Sequence, residues 1–116
     1  MLITAIILFA VAAVAGFTMA AIHFRTHTAP RALLAGLHGL FAASGLSVLV
    51  LAVIRASSAF TQAALGILVL AALGGFTLVS FHLRGRALPD GLIVGHALLG
   101  IAGFGTLIAA VWLFAS

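Results

Sequence analysis

The sequence predicts an all-α fold, a bundle of four transmembrane helices built as two tandem helical hairpins. Of the 116 residues, 66% are hydrophobic and only 5% are charged, whereas soluble domains carry about 25% charged residues. Four long uncharged stretches alternate with short segments that hold the charges. The first half of the chain also shares an ordered set of residues with the second half. We therefore expect residues 1–116 to form a single membrane domain.

The four uncharged stretches are each long enough to cross a bilayer. A spanning helix needs about 20 apolar residues, because the hydrocarbon layer is roughly 30 Å thick. The stretches that meet this length are residues 2–24, 32–54, 56–83 and 91–116. The third helix is expected to begin near Phe60, because Ser57 and Ser58 before it are residues that cap helices.

The arginines indicate how the helices are oriented, since cytoplasmic loops of membrane proteins carry an excess of positive residues. The two hairpin turns lie on one side of the membrane and hold four of the five arginines, whereas the opposite side has Arg55 alone. We predict cytoplasmic hairpin turns, both termini outside, and, from the Arg-only, Ala- and Gly-rich composition, a bacterial inner (plasma) membrane. The charged residues of the two hairpin turns are Arg25, Arg31, Arg84, Arg86 and Asp90.

An internal repeat relates the two hairpins. Residues 16–25 read GFTMAAIHFR and residues 75–84 read GFTLVSFHLR, so five of ten positions are identical at an offset of 59. Pro30 and Pro89 keep this offset, and one residue then drops out. We place repeat one at residues 1–55 and repeat two at residues 56–116, with a pseudo-twofold axis along the membrane normal. The first stretch is the counterpart of the third and has no positive segment before it, so we expect it to be retained rather than cleaved as a signal peptide.

Composition excludes several classes of function. The chain has no Cys, so it has neither disulfides nor cysteine metal ligands. Nucleic acid is not an expected partner, because phosphate binding needs many cations on one solvated face and the five arginines lie between apolar runs. A hydrolytic or group-transfer enzyme is not expected either, since Asp90 is the single acid.

Four histidines occupy related positions in the two repeats. His23 and His82 lie near the ends of the first and third stretches, and His38 and His96 lie near the starts of the second and fourth. Each lies seven or eight residues from a hairpin proline, which at 1.5 Å per residue is roughly 10–12 Å from the turn. This spacing predicts four imidazoles at one level near the cytoplasmic side.

Glycines lie seven residues from each of these histidines, on the same helix face and deeper in the membrane. They are Gly16, Gly45, Gly75 and Gly103. We expect them to leave open volume below the imidazoles. The side chains expected to wall that volume are Phe17, Phe41, Phe76, Leu99 and Phe104. The alternative is that these small residues serve close helix packing.

Bis-histidine ligation of haem iron needs imidazoles on facing helices with a flat apolar slot between them. His38 and His96 are the first candidate pair, with His23 and His82 as second candidates. A single haem would use one symmetric pair, and two haems would pair ligands across the repeats. The side chains expected near haem propionates are Arg25 and Arg84.

One histidine per helix in a four-helix membrane bundle, with glycines on the histidine faces, resembles the b-type membrane cytochromes of electron-transfer chains. The resemblance covers all four spans and implies one or two haem b groups, quinone chemistry nearby and one-electron transfer. The chain departs from that pattern because no histidine lies near the outer side. A single-sided haem site, a partner subunit in a larger redox complex, or a homodimer is therefore expected.

Two other functions fit the same residues. A cofactor-free accessory subunit of a membrane complex would explain the short turns and the near absence of soluble mass. A small metal-ion transporter would use the four histidines His23, His38, His82 and His96 as neutral ligands for Zn²⁺ or copper ions, and duplicated hairpins are common in transporters.

Overall fold

The computed structural model describes residues 1–56 and 58–114, and their regular structure consists of four α-helices. The all-α, four-helix prediction is confirmed. The helices are α1 (Leu2–Thr26), α2 (Ala32–Arg55), α3 (Ala59–Leu83) and α4 (Asp90–Phe114). They form an elongated bundle of 45 × 23 × 21 Å.

All four helices are long and apolar enough to cross a membrane. At 24 or 25 residues each, they are about 36–38 Å long, which exceeds the roughly 30 Å of hydrocarbon. Their outer surface is apolar, with large side chains such as Leu40 at 63% exposure. The chain is accordingly a multi-pass membrane protein.

The helix boundaries differ from the predicted ones by a few residues, for local reasons. α3 begins at Ala59 because Ser58 and Thr61 form a reciprocal capping box, in which each side-chain oxygen accepts a bond from the other residue's backbone amide. Ser57, predicted to share this capping role, lies outside the described residues. α4 begins at Asp90 rather than at residue 91, and an acidic side chain is favourable in the first turn of a helix.

The helices pack mainly as two hairpins. Contacts within the α1–α2 and α3–α4 pairs far outnumber those of α1 with α4 and of α2 with α3. The diagonal pairs, α1 with α3 and α2 with α4, have no close backbone contact among the described residues. The interface between the hairpins is therefore less extensive than the interface within each hairpin.

The buried core lies in the half of the bundle near the chain termini. In the half nearer the hairpin turns, the described side chains that are buried are those of His23 and Ile93. The hairpins are thus held together mainly at one end. The core side chains that touch one another are Ala5, Phe9, Leu49, Ala64, Leu68 and Leu107.

Gly45 and Gly103 allow the helices of each hairpin to approach closely. A Cβ at Gly45 would lie 3.3 Å from the Phe9 ring, and one at Gly103 would lie 2.6 Å from Cγ of Leu68. The prediction of open volume beside these two glycines is therefore wrong. A neighbouring side chain fills the space, because a missing Cβ lets the facing helix move in.

Two alanine substitutions on α4 test this close packing. We expect Gly103→Ala to lower the free energy of unfolding by about 1–3 kcal/mol, because the buried Leu68 side chain must move. Gly105→Ala, on the same helix, should be neutral or stabilising by up to about 1 kcal/mol, because no atom lies within 4 Å of the new methyl group and alanine favours a helix. Unfolding of the purified protein in mixed micelles measures both, and equal effects of the two substitutions would contradict the packing.

Candidate functional site

His38 is held by a hydrogen bond inside the first hairpin. Its Nδ1 lies 2.7 Å from the backbone oxygen of Ala12 on α1. A carbonyl oxygen only accepts, so Nδ1 must carry the proton and donate it. In the neutral imidazole, Nε2 then has a free lone pair.

His96 makes the equivalent bond inside the second hairpin. Its Nδ1 donates to the backbone oxygen of Ala71 on α3, also at 2.7 Å. Ala12 and Ala71 are 59 residues apart, and His38 and His96 are 58 apart. These are the offsets of the predicted repeat, and the shared bond is an observation in its favour.

Gly16 and Gly75 explain how each imidazole reaches a helix carbonyl. Each glycine stands four residues after the alanine whose oxygen accepts the bond, so its own amide is the helical partner of that oxygen, which keeps a second lone pair. A Cβ at Gly16 would lie 3.0 Å from Cε1 of His38, and one at Gly75 would lie 3.1 Å from Cε1 of His96. The absence of a Cβ therefore leaves room for the ring.

The glycine faces are thus filled rather than open, which corrects the expected hollow at Gly16 and Gly75 as well. The imidazole of the hairpin partner occupies each space. The prediction that five side chains line this volume is also wrong for two of them, because Phe17 is 54% exposed and Phe76 is 70% exposed. Both face outward, where a large apolar ring is favourable in contact with lipid. Phe41, Leu99 and Phe104 are half-buried.

The rings of His38 and His96 meet between the two hairpins. Their centroids are 6.0 Å apart and their planes are inclined by 83°. Because α2 and α4 are diagonal neighbours, this contact crosses the middle of the bundle. A centroid distance of this size with nearly perpendicular planes is a direct edge-to-face contact between the two rings.

His23 has a different partner, one that the sequence analysis missed. Its Nε2 lies 2.9 Å from Oδ1 of Asp90, at the start of α4. The His23 side chain is buried while the Asp90 side chain is 62% exposed. The pair therefore joins the two hairpins at the turn end. The sequence feature that could have indicated this pair is that Asp90 is the single acid in a chain with five histidines.

The second candidate ligands and the arginines do not join the His38–His96 pair. His82 is half-buried, and its Nδ1 is buried without a hydrogen-bond partner among the described residues. The guanidinium of Arg84 donates to the backbone oxygen and hydroxyl of Ser80 and lies over the Phe81 ring. Arg25 is exposed at the end of α1. Within the described part of the chain, no three histidine or carboxylate side chains come close enough to hold one metal ion.

Comparisons with known proteins give no relative from which a function could be inferred: no family model, curated protein or solved structure matches this chain.

The hydrogen bonds of His38 and His96 predict a specific tautomer that can be measured. The ¹⁵N spectra of the protein with labelled histidine should show a proton on Nδ1 of both side chains. Gly16→Ala should perturb the His38 signals, because the new methyl group presses on the ring. Gly36→Ala should not, because no atom lies within 4 Å of that position.

The outcome that would contradict this arrangement is an Nδ1 without a proton on either ring in the unmodified protein. Equal perturbation of His38 by the two glycine substitutions would also contradict it, because only Gly16 faces the ring.

Proposed function

We propose that this chain is a small integral membrane protein that binds haem b and takes part in electron transfer, with His38 and His96 as the axial ligands. The observation that carries the proposal is the pair of facing imidazoles, each with Nδ1 bound to a backbone carbonyl and Nε2 free. Metal-ligating histidines usually donate their second ring proton in this way, which fixes both the tautomer and the ring orientation.

The number of ligands favours a porphyrin over a bare metal ion. Zn²⁺ at a structural site takes four protein ligands and at a catalytic site takes three, and the paired imidazoles supply two. A porphyrin supplies four equatorial nitrogens itself, so two axial histidines complete the iron coordination. A zinc transporter is for this reason the weaker candidate.

The packing of the bundle supports the same site. The core that ties the hairpins together lies in the half near the termini. His38 and His96 are half-buried in the other half, where His23 and Ile93 are the buried described side chains. The seam between the hairpins at this level is therefore the part of the bundle best suited to receive a flat apolar group.

The residues of this chain hold and orient the two imidazoles. Ala12 and Ala71 each fix one ring through a carbonyl, and Gly16 and Gly75 give the rings space. Haem, when bound, supplies one-electron chemistry between ferric and ferrous iron. His38 on α2 and His96 on α4 would hold the iron, so binding would bridge the two hairpins.

The one-sided position of the histidines bears on the partners. The described bundle places His38 and His96 in the half near the hairpin turns, and we propose that this half faces the cytoplasm of a bacterium. A quinone, another subunit of a redox complex, or a second copy of the chain would then carry the electron onward.

The reduced-minus-oxidised absorption spectrum tests the proposal directly. The protein, produced with ample haem and purified in mild detergent, should show the Soret and α bands of a b-type haem. His38→Ala and His96→Ala should each remove these bands, because each change deletes one axial ligand. His27→Ala is the matched control and should keep them, since that residue lies in the α1–α2 turn.

Other results would point elsewhere. A folded helical protein with no haem bands would overturn the proposal and favour an accessory subunit without a cofactor. Bands lost with His23→Ala and His82→Ala, but kept with His38→Ala and His96→Ala, would replace the proposed ligands by the second pair.

A further inference from the structure

The hydrogen bond between His23 and Asp90 joins the helix that holds one candidate ligand to the helix that carries the other. His23 lies on α1 and Asp90 is the first residue of α4, and their side chains approach to 2.9 Å. Helix α1 supplies the backbone oxygen of Ala12 that holds the His38 ring, whereas α4 carries His96 itself. The bond therefore connects the supports of the two paired imidazoles.

On α1, His23 lies on the same face as the residues that contact the His38 ring. Ala12 and Gly16 precede His23 by eleven and seven residues, which at 3.6 residues per turn is close to three and two full turns. A Cβ at Gly16 would lie 3.0 Å from Cε1 of His38. One face of α1 therefore contacts the His38 ring at Gly16 and, about 10 Å nearer the turn, binds α4 through His23.

On α4, the length of helix between the bond and the candidate ligand is similar. His96 follows Asp90 by six residues, which is about 9 Å along the helix. Ile93, between them, is buried and packs this turn of α4 against the bundle. Because the two lengths are nearly equal, a bond that fixes α4 against α1 also keeps the rings of His38 and His96 at one depth, where they contact each other.

The buried imidazole of His23 makes this bond sensitive to the position of α4. The side chain is 10% exposed, and its Nδ1 has no hydrogen-bond partner among the described residues. Nε2 therefore makes the bond, and it donates to the Asp90 carboxylate, since an ionised carboxylate only accepts. A ring enclosed by its surroundings cannot follow the carboxylate if α4 slides or rotates, so either movement would break the bond.

The other side of the bundle has no matching pair. His82 is related to His23 by the offset of 59 residues, but the residue related to Asp90 is Arg31. An arginine side chain has no acceptor, so it cannot receive a hydrogen bond from a histidine. The turn end of the bundle is therefore tied on the α1–α4 side.

We propose that His23 and Asp90 are positioning residues for the paired imidazoles. By fixing α4 against α1, their bond sets the depth and the mutual contact of the His38 and His96 rings. The consequence for haem binding rests on the proposed function, whereas the consequence for the rings does not. Ligands that are already in position bind more tightly, because less ordering is needed on binding.

Contact between the two rings can be followed by NMR in the protein purified without haem and carrying labelled histidine. His23→Leu and Asp90→Leu should each weaken the cross-peaks between the His38 and His96 rings. Both substitutions should leave the Nδ1 proton signals of these rings in place, because those bonds lie within single hairpins. Asp90→Asn should preserve the cross-peaks, since the amide oxygen accepts the same bond. The double substitution should weaken them no further than either single one, because both remove one interaction.

Arg31→Gln is the matched control, because it removes a charge at the position related to Asp90 and should leave the cross-peaks unchanged. When haem is added, His23→Leu and Asp90→Leu should each raise the apparent Kd about tenfold, because a hydrogen bond to an ionised group no longer holds the two helices in place. Asp90→Asn should recover most of this loss. Asp90→Leu leaves α1 unchanged and serves as the second variant if His23→Leu fails to fold.

Unchanged cross-peaks in both leucine variants would overturn the proposal, and a lower unfolding temperature alone would then assign the pair a purely structural role. Equal weakening by Arg31→Gln, or additive weakening in the double substitution, would overturn it as well. Failure of the proposed function gives a different result. In that case no variant shows haem bands, but the cross-peaks still weaken when the bond is removed, which would confirm the positioning of the rings and reject haem as their ligand.

Discussion

A polar group inside a hydrocarbon layer has to find its hydrogen-bond partner within the protein, because lipid offers none. In this bundle that constraint fixes His38 and His96. Each imidazole reaches the backbone oxygen of an alanine on the other helix of its hairpin. That oxygen is accessible because a glycine, not a larger residue, stands one turn further along. One requirement therefore accounts for the ring positions, their tautomer, and the presence of Gly16 and Gly75.

The same bonds prepare the imidazoles for a second interaction. With Nδ1 occupied, the free coordination position on each ring is Nε2, and the two rings approach each other across the seam between the hairpins. The bundle is tightly packed near its termini and sparsely packed toward its turns. The buried apolar packing is thus concentrated away from the paired imidazoles.

The turn end of the bundle breaks the similarity between the two halves. Asp90 in the second hairpin binds His23. The residue 59 positions earlier, which is its counterpart in the first hairpin by the predicted repeat, is Arg31. His82 therefore has no equivalent carboxylate from α2, and its Nδ1 lacks a partner among the described residues. The two related histidines His23 and His82 therefore have different hydrogen-bond partners.

The sequence by itself determined the class of fold and the positions of the helices. Runs of about 20 apolar residues can be accommodated in few ways in a membrane, so helix number and length follow from composition alone. The sequence also gave the pairing of His38 with His96 as a candidate, because equal spacing from a turn places residues at equal depth. It did not show what fills the faces of the glycines, because the same glycines suit either a cofactor slot or close packing. Tertiary structure decided that choice at Gly45 and Gly103, where Phe9 and Leu68 occupy the space. It also decided the partner of His23, since a contact between residues 67 positions apart depends on how the second hairpin docks against the first.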